Sequence, residues 1–280
     1  MMSGNLYLVA TPIGNLGDLT HRAEEILTQV DFIAAEDTRV TIKLLNHLKL
    51  KKPMVSYYRH NFEKAGLQIV SRILAGESCA LVSDAGTPAI SDPGEELVTL
   101  CHAHQIPVYS VPGPCALISA LTVSGLPTGR FTFEGFLAMN QKNRREHLKS
   151  LKGESRTMLF YEAPHKLRST LEDLCDTFGP DREIAICREL TKLHEQVLRT
   201  TLGKAVVYFS ETAPRGEFVL VVSGKKEKTE PSVSIEEAVR LALEYHGAGL
   251  SFKEAVRKTA EETGLPKNEL YAAALKERRM

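Results

Sequence analysis

The sequence predicts two α/β domains followed by a small helical domain, and three observations lead to this prediction. Short apolar segments alternate with helix-periodic segments through residue 124, which is typical of a largely parallel sheet covered by helices. A Gly/Pro-containing segment at 124–130 separates them from longer segments in which apolar and polar residues alternate. The charged, apolar-poor run KKEKTEPS then precedes a helical end. We therefore expect domains at 1–124, 125–224 and 232–280.

The first domain begins with a strand at 5–10 and the loop TPIGNLGD at 11–18. The next segment places Ala23, Ile26, Leu27 and Val30 at the i, i+3, i+4, i+7 spacing of a helix. The same reasoning predicts the remaining strands at 32–35, 54–58, 79–84 and 107–111. It predicts helices at 42–48, 95–104 and 115–124, and a further helix that ends near Gly76.

The second domain has longer alternating strands, which favour a mixed or mainly antiparallel sheet. These strands are predicted at 130–137, 156–163, 183–190, 195–202 and 217–224, with helices at 141–151, 165–178 and 203–212. About three helices follow in the third domain. Ser234 and Ser251 each stand three residues before a glutamate, which is the spacing of a helix capping box, and Pro266 suits a first helical turn.

Composition excludes several classes of protein. The chain of 280 residues is 43% hydrophobic and 25% charged with a net charge of zero, which excludes long disorder and a uniformly basic nucleic-acid binder. The sequence contains neither an apolar run of membrane length nor a signal peptide, and we expect a cytoplasmic protein. The five cysteines include no C-x-x-C pair, so neither a disulfide framework nor a metal site is expected.

Three loops follow predicted parallel strands, and the carboxyl ends of such strands meet at one sheet edge where ligands bind. They are TPIGNLGD at 11–18, SDAGTPAISDPG at 83–94 and VPGPCA at 111–116. Each alone is compatible with an ordinary turn, and neither a dinucleotide fingerprint nor a Walker loop is present. In the second loop, Asp84 could accept hydrogen bonds from a ribose or an amine, and the backbone at Gly86 could cradle a ligand. Asp92 is predicted to cap the following helix.

Seven motifs occur in order across residues 5–224: the three loops, AEDTR at 35–39, FYEAPHKL, RELTKLHE and RGEFVLVV. Together they resemble the tetrapyrrole methylase superfamily, and most closely its ribosomal RNA small subunit methyltransferase I family. The resemblance implies two α/β domains of the tetrapyrrole methylase type with the cofactor cleft between them. It implies S-adenosyl-L-methionine as the cofactor and 2′-O-methylation of a cytidine in the decoding region of 16S rRNA as the activity.

We name a set of cofactor-binding residues, of which the resemblance implies those at 84–87, 115–116, 161 and 163, and we name no metal ligands. The set is Pro12, Gly14, Asp84, Ala85, Gly86, Thr87, Ile90, Cys115, Ala116, Tyr161 and Ala163. Cys115 departs from the family, because relatives often have serine there and a thiol is a poorer hydrogen-bond partner.

Methylation of a ribose hydroxyl needs alignment of the oxygen and removal of its proton. We name Glu36, Glu162 and Lys192 as the catalytic candidates, while Asp37, His60 and Glu189 also remain open as bases. Each has a structural alternative. Residues 36–38 and 60–61 could begin helices, and Arg188, Glu189 and Lys192 could form an ion-pair cluster.

An RNA substrate requires a basic surface. The densest basic segment contains Lys142, Arg144, Arg145, Lys149, Lys152 and Arg156, although it could also be a solvated helix face. Further basic residues lie in the linker (Lys225, Lys226 and Lys228) and at the C-terminal end of the sequence (Lys276, Arg278 and Arg279). Arg39 and Arg59 are further phosphate candidates, and either Tyr57 or Tyr58 could stack a base.

The expected partners are small-subunit rRNA, within an assembled or nearly assembled 30S particle, and a second copy of the chain. A membrane is not expected as a partner. Two other functions remain open: a tetrapyrrole methyltransferase, and a non-catalytic RNA-binding assembly factor, which would not bind S-adenosylmethionine.

Overall fold

The computed structural model describes residues 3–226 and 233–278. Residues up to Lys225 form one compact unit, and those from Lys226 form a second. Lys228 and Arg279, with most of the predicted linker, lie outside the described residues.

The first sheet is fully parallel and has the strand order β3-β2-β4-β1-β5. Its strands are β1 Leu6–Val9, β2 Phe32–Ala35, β3 Met54–Ser56, β4 Cys79–Val82 and β5 Val108–Val111. The helices of this region are α1 His21–Gln29, α2 Thr38–His47, α3 Phe62–Leu74 and α4 Glu95–Ala103. The strands β2 and β4 are buried at every position, because helices cover both faces of the sheet. The continuous apolar sequences of these two strands predict this burial.

Two cores form, one on each face of this sheet. Phe32, Ile69 and Leu97 belong to the core with α3 and α4, while Leu27 and Ile33 belong to the core with α1 and α2. Tyr57 is fully buried in the first of these cores, and Tyr58 is exposed. Only Tyr58 of this pair can therefore stack on a base from solution.

The second sheet has the strand order β6-β7-β10-β8-β9, with β6 parallel to β7 and every other pair antiparallel. This confirms the predicted mixed sheet. Its strands are β6 Phe131–Phe136, β7 Thr157–Glu162, β8 Glu183–Arg188, β9 Gln196–Thr201 and β10 Phe218–Val222. The helices here are α6 Gln141–Ser150, α7 Leu167–Phe178 and α8 Leu202–Glu211.

Helix α5, Ala116–Ser124, connects the two sheets. It follows the first sheet in sequence, but its Leu117 and Leu121 pack in one core with Leu159 and Val221 of the second sheet. The helix ends at Gly125, which has the left-handed φ of +78°. The second sheet is thus covered by α5 on one face, and by helices that include α7 and α8 on the other.

The second unit consists of helices α9 Ile235–Gly247, α10 Phe252–Thr263 and α11 Lys267–Glu277. Ser234 and Ser251 form the predicted capping boxes at the starts of α9 and α10. Apolar residues from all three helices, such as Val239, Val256 and Leu270, form its core. Among the described residues, no helix is long and apolar enough to cross a membrane.

Candidate functional site

The three Gly/Pro loops meet at the carboxyl edge of the first sheet, as predicted. Thr11 and Gly86 exchange two backbone hydrogen bonds, with N···O distances of 2.8 and 3.0 Å. The Thr87 hydroxyl donates to the carbonyl of Pro114 at 3.1 Å. These bonds connect the loops after β1, β4 and β5 into one continuous surface.

The loop at 83–94 contains unusual backbone conformations. Gly86 has φ of +82°, and the non-glycine residues Ala89 and Ser91 have φ of +67° and +65°. Left-handed backbone is unfavourable for side chains with a Cβ atom and is concentrated at functional sites. The loop is therefore held in a specific shape that a simple chain reversal would not require.

The second sheet faces these loops through residues at the ends of its strands. The Tyr161 hydroxyl accepts a hydrogen bond from the backbone N–H of Leu117 at 3.2 Å, so the end of β7 is joined to the start of α5. Phe133 and Phe136 contact the Tyr161 ring edge-on, with centroids 4.9 and 5.5 Å away. Burial raises the pKa of the Tyr161 phenol, which therefore stays protonated.

A cavity of about 510 Å³ lies between the loops and the second sheet. Eleven predicted site residues line it: Glu36, Asp84, Ala85, Gly86, Thr87, Ile90, Cys115, Ala116, Tyr161, Glu162 and Ala163. Pro12 and Gly14 flank its wall, since Ile13 between them lines it. The geometry brings these residues together, while their roles stay predictions.

Carboxylates dominate the polar wall of this cavity. The Asp84 N–H donates to the Glu36 carboxylate at 3.3 Å, and the Asp37 N–H donates to Asp84 at 3.1 Å. Burial, with the neighbouring negative charges, raises the pKa of both Glu36 and Asp84. Burial and the charge of Glu36 raise the pKa of Asp92 to about 7. The wall would thus be stabilised by a positively charged ligand.

The prediction that Asp92 caps the helix is wrong. Helix α4 begins after Gly94, which is its N-cap, and no side chain caps it. Asp92 instead lines the cavity. Asp92 stands two residues before this N-cap, so its side chain is not at the capping position.

Glu162 and Lys192 are less suited to catalysis than predicted. Glu162 is buried, and its two carboxylate oxygens accept from the Thr170 hydroxyl at 2.5 Å and the Ala163 N–H at 2.8 Å. Both acceptors are engaged, so Glu162 holds the 162–163 turn in place.

The Lys192 ammonium pairs with Glu189 and Glu217, both at 2.9 Å. Burial lowers the pKa of Lys192, but the hydrogen bonds and negative charges of the two carboxylates raise it by more, so the pKa lies above its usual value. Lys192 is thus a protonated member of the alternative ion-pair cluster. Its stem also lies over Gly14, where an added Cβ would approach it at 2.4 Å. The close approach at Gly14 is therefore made by Lys192, whereas we expected a ligand.

The other predicted bases do not line the cavity, although the Asp37 backbone contacts its wall at Asp84. Asp37 is the N-cap of α2, and its ion pair with Arg39 lowers the pKa of Asp37 to about 2. His60 and Arg59 are exposed beside the start of α3. Glu189 is engaged by Lys192 and by the Glu217 N–H. None of these three acids and bases lines the cavity among the described residues.

The predicted basic surface at 142–156 is only partly a surface. Arg144 is buried, and its guanidinium pairs with buried Asp173 at 2.6 Å, so its assignment to RNA binding is wrong. Arg145 shares the same carboxylate at 2.8 Å but is 58% exposed. Arg156 pairs with Glu154. The exposed lysines of this segment are Lys142, Lys149 and Lys152.

Sequence reasoning missed several cavity residues. Ile13, Phe136, Leu190 and Val219 are apolar and read as ordinary core positions, while Glu217 stands within the RGEF motif. Only that motif could have indicated a site residue. Within the described residues, no group of three or more His, Cys, Asp or Glu could hold a metal ion.

Comparison with known families gives two matches. Residues 5–206 match the family described as Tetrapyrrole (Corrin/Porphyrin) Methylases. Residues 231–279 match the RsmI C-terminal HTH domain.

The chain is similar to a protein of Synechocystis named ribosomal RNA small subunit methyltransferase I, with 50% identity over 97% of this chain and 98% of the relative. A Thermotoga maritima protein of the same name is 49% identical over 80% of this chain and 100% of its own length. In structure the chain resembles uroporphyrin-III-C-methyltransferase of Thermus thermophilus, with a TM-score of 0.57 at 20% identity, over 79% of this chain and 94% of that one. At this identity the structural likeness concerns the fold alone.

Proposed function

Because the chain belongs to the ribosomal RNA small subunit methyltransferase I family of the tetrapyrrole methylases, we propose that it methylates the 2′-hydroxyl of a cytidine in small-subunit rRNA. Its membership makes it an S-adenosylmethionine-dependent methyltransferase acting on rRNA of the small subunit. The cytidine ribose as acceptor is the finer part of the proposal. It rests on the resemblance of the seven motifs to this family, and 50% identity over 97% of the chain to a relative of that name supports it.

The cavity suits S-adenosylmethionine in size and charge. Its volume of about 510 Å³ lies within the usual range of about 300–1,000 Å³ for small-molecule sites. The cofactor is a cation at its sulfur and at its amino group, and Glu36, Asp84 and Asp92 offer it carboxylates whose mutual repulsion it would relieve. We propose that these residues and the 84–90 loop hold it.

When bound, the cofactor supplies a methyl group on a positively charged sulfur. The protein must then place a ribose oxygen in line with that methyl group and accept the hydroxyl proton as the new bond forms. Asp92 is suited to hold this proton, because it lines the cavity and a base with a pKa of about 7 is effective at neutral pH. Glu36, whose pKa is also raised, is the neighbouring alternative.

The substrate is proposed to be the assembled or nearly assembled 30S particle. The net charge is zero and the basic residues are dispersed, so binding to free RNA would depend on few phosphate contacts. We also propose a homodimer working in the cytoplasm. Sedimentation as a monomer at micromolar concentration would contradict the dimer.

The function is tested with small subunits from a strain that lacks the protein. We expect mass spectrometry of their rRNA nucleosides to show one 2′-O-methylcytidine fewer, and the purified enzyme with S-adenosylmethionine to restore it. Faster methylation of particles than of naked rRNA would support the particle as the substrate, and equal rates would contradict it. Intact methylation in the deletion strain would contradict the function.

Calorimetry with S-adenosylmethionine separates an enzyme from a non-catalytic assembly factor. The proposed function requires binding, whereas a protein that has lost its cofactor site would give no heat. Methylation of a tetrapyrrole but not of the particle would favour the small-molecule alternative.

A further inference from the structure

A second cavity, of about 340 Å³, lies on the other side of the segment 215–218, against the end of α8. The two cavities share Phe218 in their walls. Glu217 lines the first cavity and Arg215 lines the second, so only one residue separates them along the chain. The two cavities therefore adjoin at this segment, the first against the α5 face of the second sheet and the second against the face covered by α8.

A row of residues paired across the sheet runs from the second cavity to the first. Gln196 of β9 pairs with Arg188 of β8, Arg188 pairs with Phe218 of β10, and Phe218 pairs with Glu162 of β7. Neighbouring strands lie about 4.8 Å apart, so Arg188 is about 10 Å from the Glu162 end of the row, at the first cavity. Both cavities thus lie at the same end of the second sheet, within reach of neighbouring nucleotides of one strand.

The two cavities differ in charge. Four carboxyl side chains besides that of Glu162 line the first, whereas the charged residues lining the second are Arg188 and Arg215. The Arg188 Nε donates to the Arg215 carbonyl at 2.6 Å, which fixes the loop before β10. Arg215 is exposed, and within the described residues its side chain has no hydrogen bond or ion pair. The second cavity therefore attracts an anion.

Tyr208 of α8 adds an aromatic surface to this cavity. It is 41% exposed, while its neighbour Phe209 is buried beneath it at a centroid distance of 4.9 Å. Phosphate-binding arginines beside an exposed aromatic ring are the features with which proteins hold single-stranded nucleic acid. Gln196 and Thr212 add polar groups that could contact base edges.

We propose that the second cavity binds a nucleotide adjacent to the methylated one, with its base on Tyr208 and its phosphate at Arg215 and Arg188. This inference rests on the proposed function, because it assigns a further part of the same RNA. It explains how the enzyme grips a single strand next to the target although the chain carries no net charge.

The test measures methylation of undermethylated small subunits by the wild type and by Arg215→Ala, Tyr208→Ala and Tyr208→Phe. Arg130→Ala is the matched control, because Arg130 is exposed and precedes β6 at the opposite edge of the sheet. We expect Arg215→Ala to raise KM about fivefold or more and to reduce the salt slope of binding by about 0.7, as loss of one phosphate contact does. Tyr208→Ala should raise KM about tenfold, and Tyr208→Phe should restore it.

The affinity for S-adenosylmethionine should be unchanged in every variant, which excludes a general loss of structure. A photo-crosslinking amino acid in place of Tyr208 should form its crosslink within two nucleotides of the methylated cytidine. KM values equal to that of Arg130→Ala, or a crosslink elsewhere in the rRNA, would overturn the second site. If the wild type itself fails to methylate small subunits, the proposed function is wrong.

Discussion

Replacing Asp92 with asparagine should stabilise the protein above pH 7. It should also make the free energy of unfolding depend less on pH between about pH 4 and 7. Asp92 lies in the cavity wall, where burial and the charge of Glu36 raise its pKa from 3.8 to about 7. The folded chain therefore keeps a proton on Asp92 that the unfolded chain has lost in this interval. By linkage, stability that is fully present below pH 4 is lost as the pH rises through 7.

The size of the effect follows from the two pKa values. A change of one in pKa corresponds to about 1.4 kcal/mol, so the difference between 3.8 and about 7 sets an upper limit of about 4 kcal/mol. Asp92 is partly exposed, and solvent screens its interaction with Glu36. We therefore expect about 1–2 kcal/mol between the wild type and Asp92→Asn at pH 8, and close to zero at pH 4.

The assay is chemical denaturation followed by circular dichroism at several values of pH. The difference between wild type and variant is compared at each pH, because contributions of the separate helical unit then cancel. Asp31→Asn, at an exposed carboxylate near the opposite end of the first sheet, is the control. Parallel stability curves for wild type and Asp92→Asn would refute the reasoning, and so would a variant less stable at pH 8.

Three further predictions concern the first unit. Arg144→Ala should destabilise the protein by about 3–5 kcal/mol, because it removes a partner from buried Asp173. Arg145→Ala, at the exposed position, should cost under about 1 kcal/mol. Equal losses of stability in denaturation experiments would contradict this. Gly86→Val should abolish S-adenosylmethionine binding while the protein stays folded, because φ of +82° excludes a branched side chain in the observed loop. Calorimetry measures this binding, and tight binding by the variant would show that the site lies elsewhere. Tyr161→Phe should lower stability by about 1–3 kcal/mol through loss of its hydrogen bond, and unchanged stability would show that this bond is replaced by water.

The sheets and most helices could be predicted because their signals are local. Segments such as 32–35 are apolar at every position, and the structure buries all four residues. The meeting of the three loops was also predictable, since parallel strands have their carboxyl ends on one edge. What each loop residue does depended on backbone conformation. Asp92 shows this, because neither the start of α4 after Gly94 nor the left-handed conformations of Ala89 and Ser91 beside Asp92 leave a clear signal in the sequence.

Arg144 shows a second limit of sequence reasoning. It stands four residues before Leu148, so both lie on the same face of α6, and both are buried. The basic character of the segment suggested a surface, but the carboxylate that compensates Arg144 is 29 positions away in α7. Pairings across such distances require the tertiary structure. For Lys192 this holds for one partner of the two: Glu189 is three residues away and was among the alternatives, whereas Glu217 is 25 residues away.

The position of β10 determines when this protein can fold during its synthesis. All strands of the first sheet have been made by Val111, whereas β7 and β8 of the second sheet have no common neighbour until Phe218–Val222 has been translated. Until then, two apolar strands present open edges that can pair with other chains. Since Glu217, Phe218 and Val219 also line the first cavity, this cavity is completed only when β10 has been made. A nascent chain stalled before this strand would expose an open sheet edge and an incomplete first cavity, and we expect chaperones to bind it.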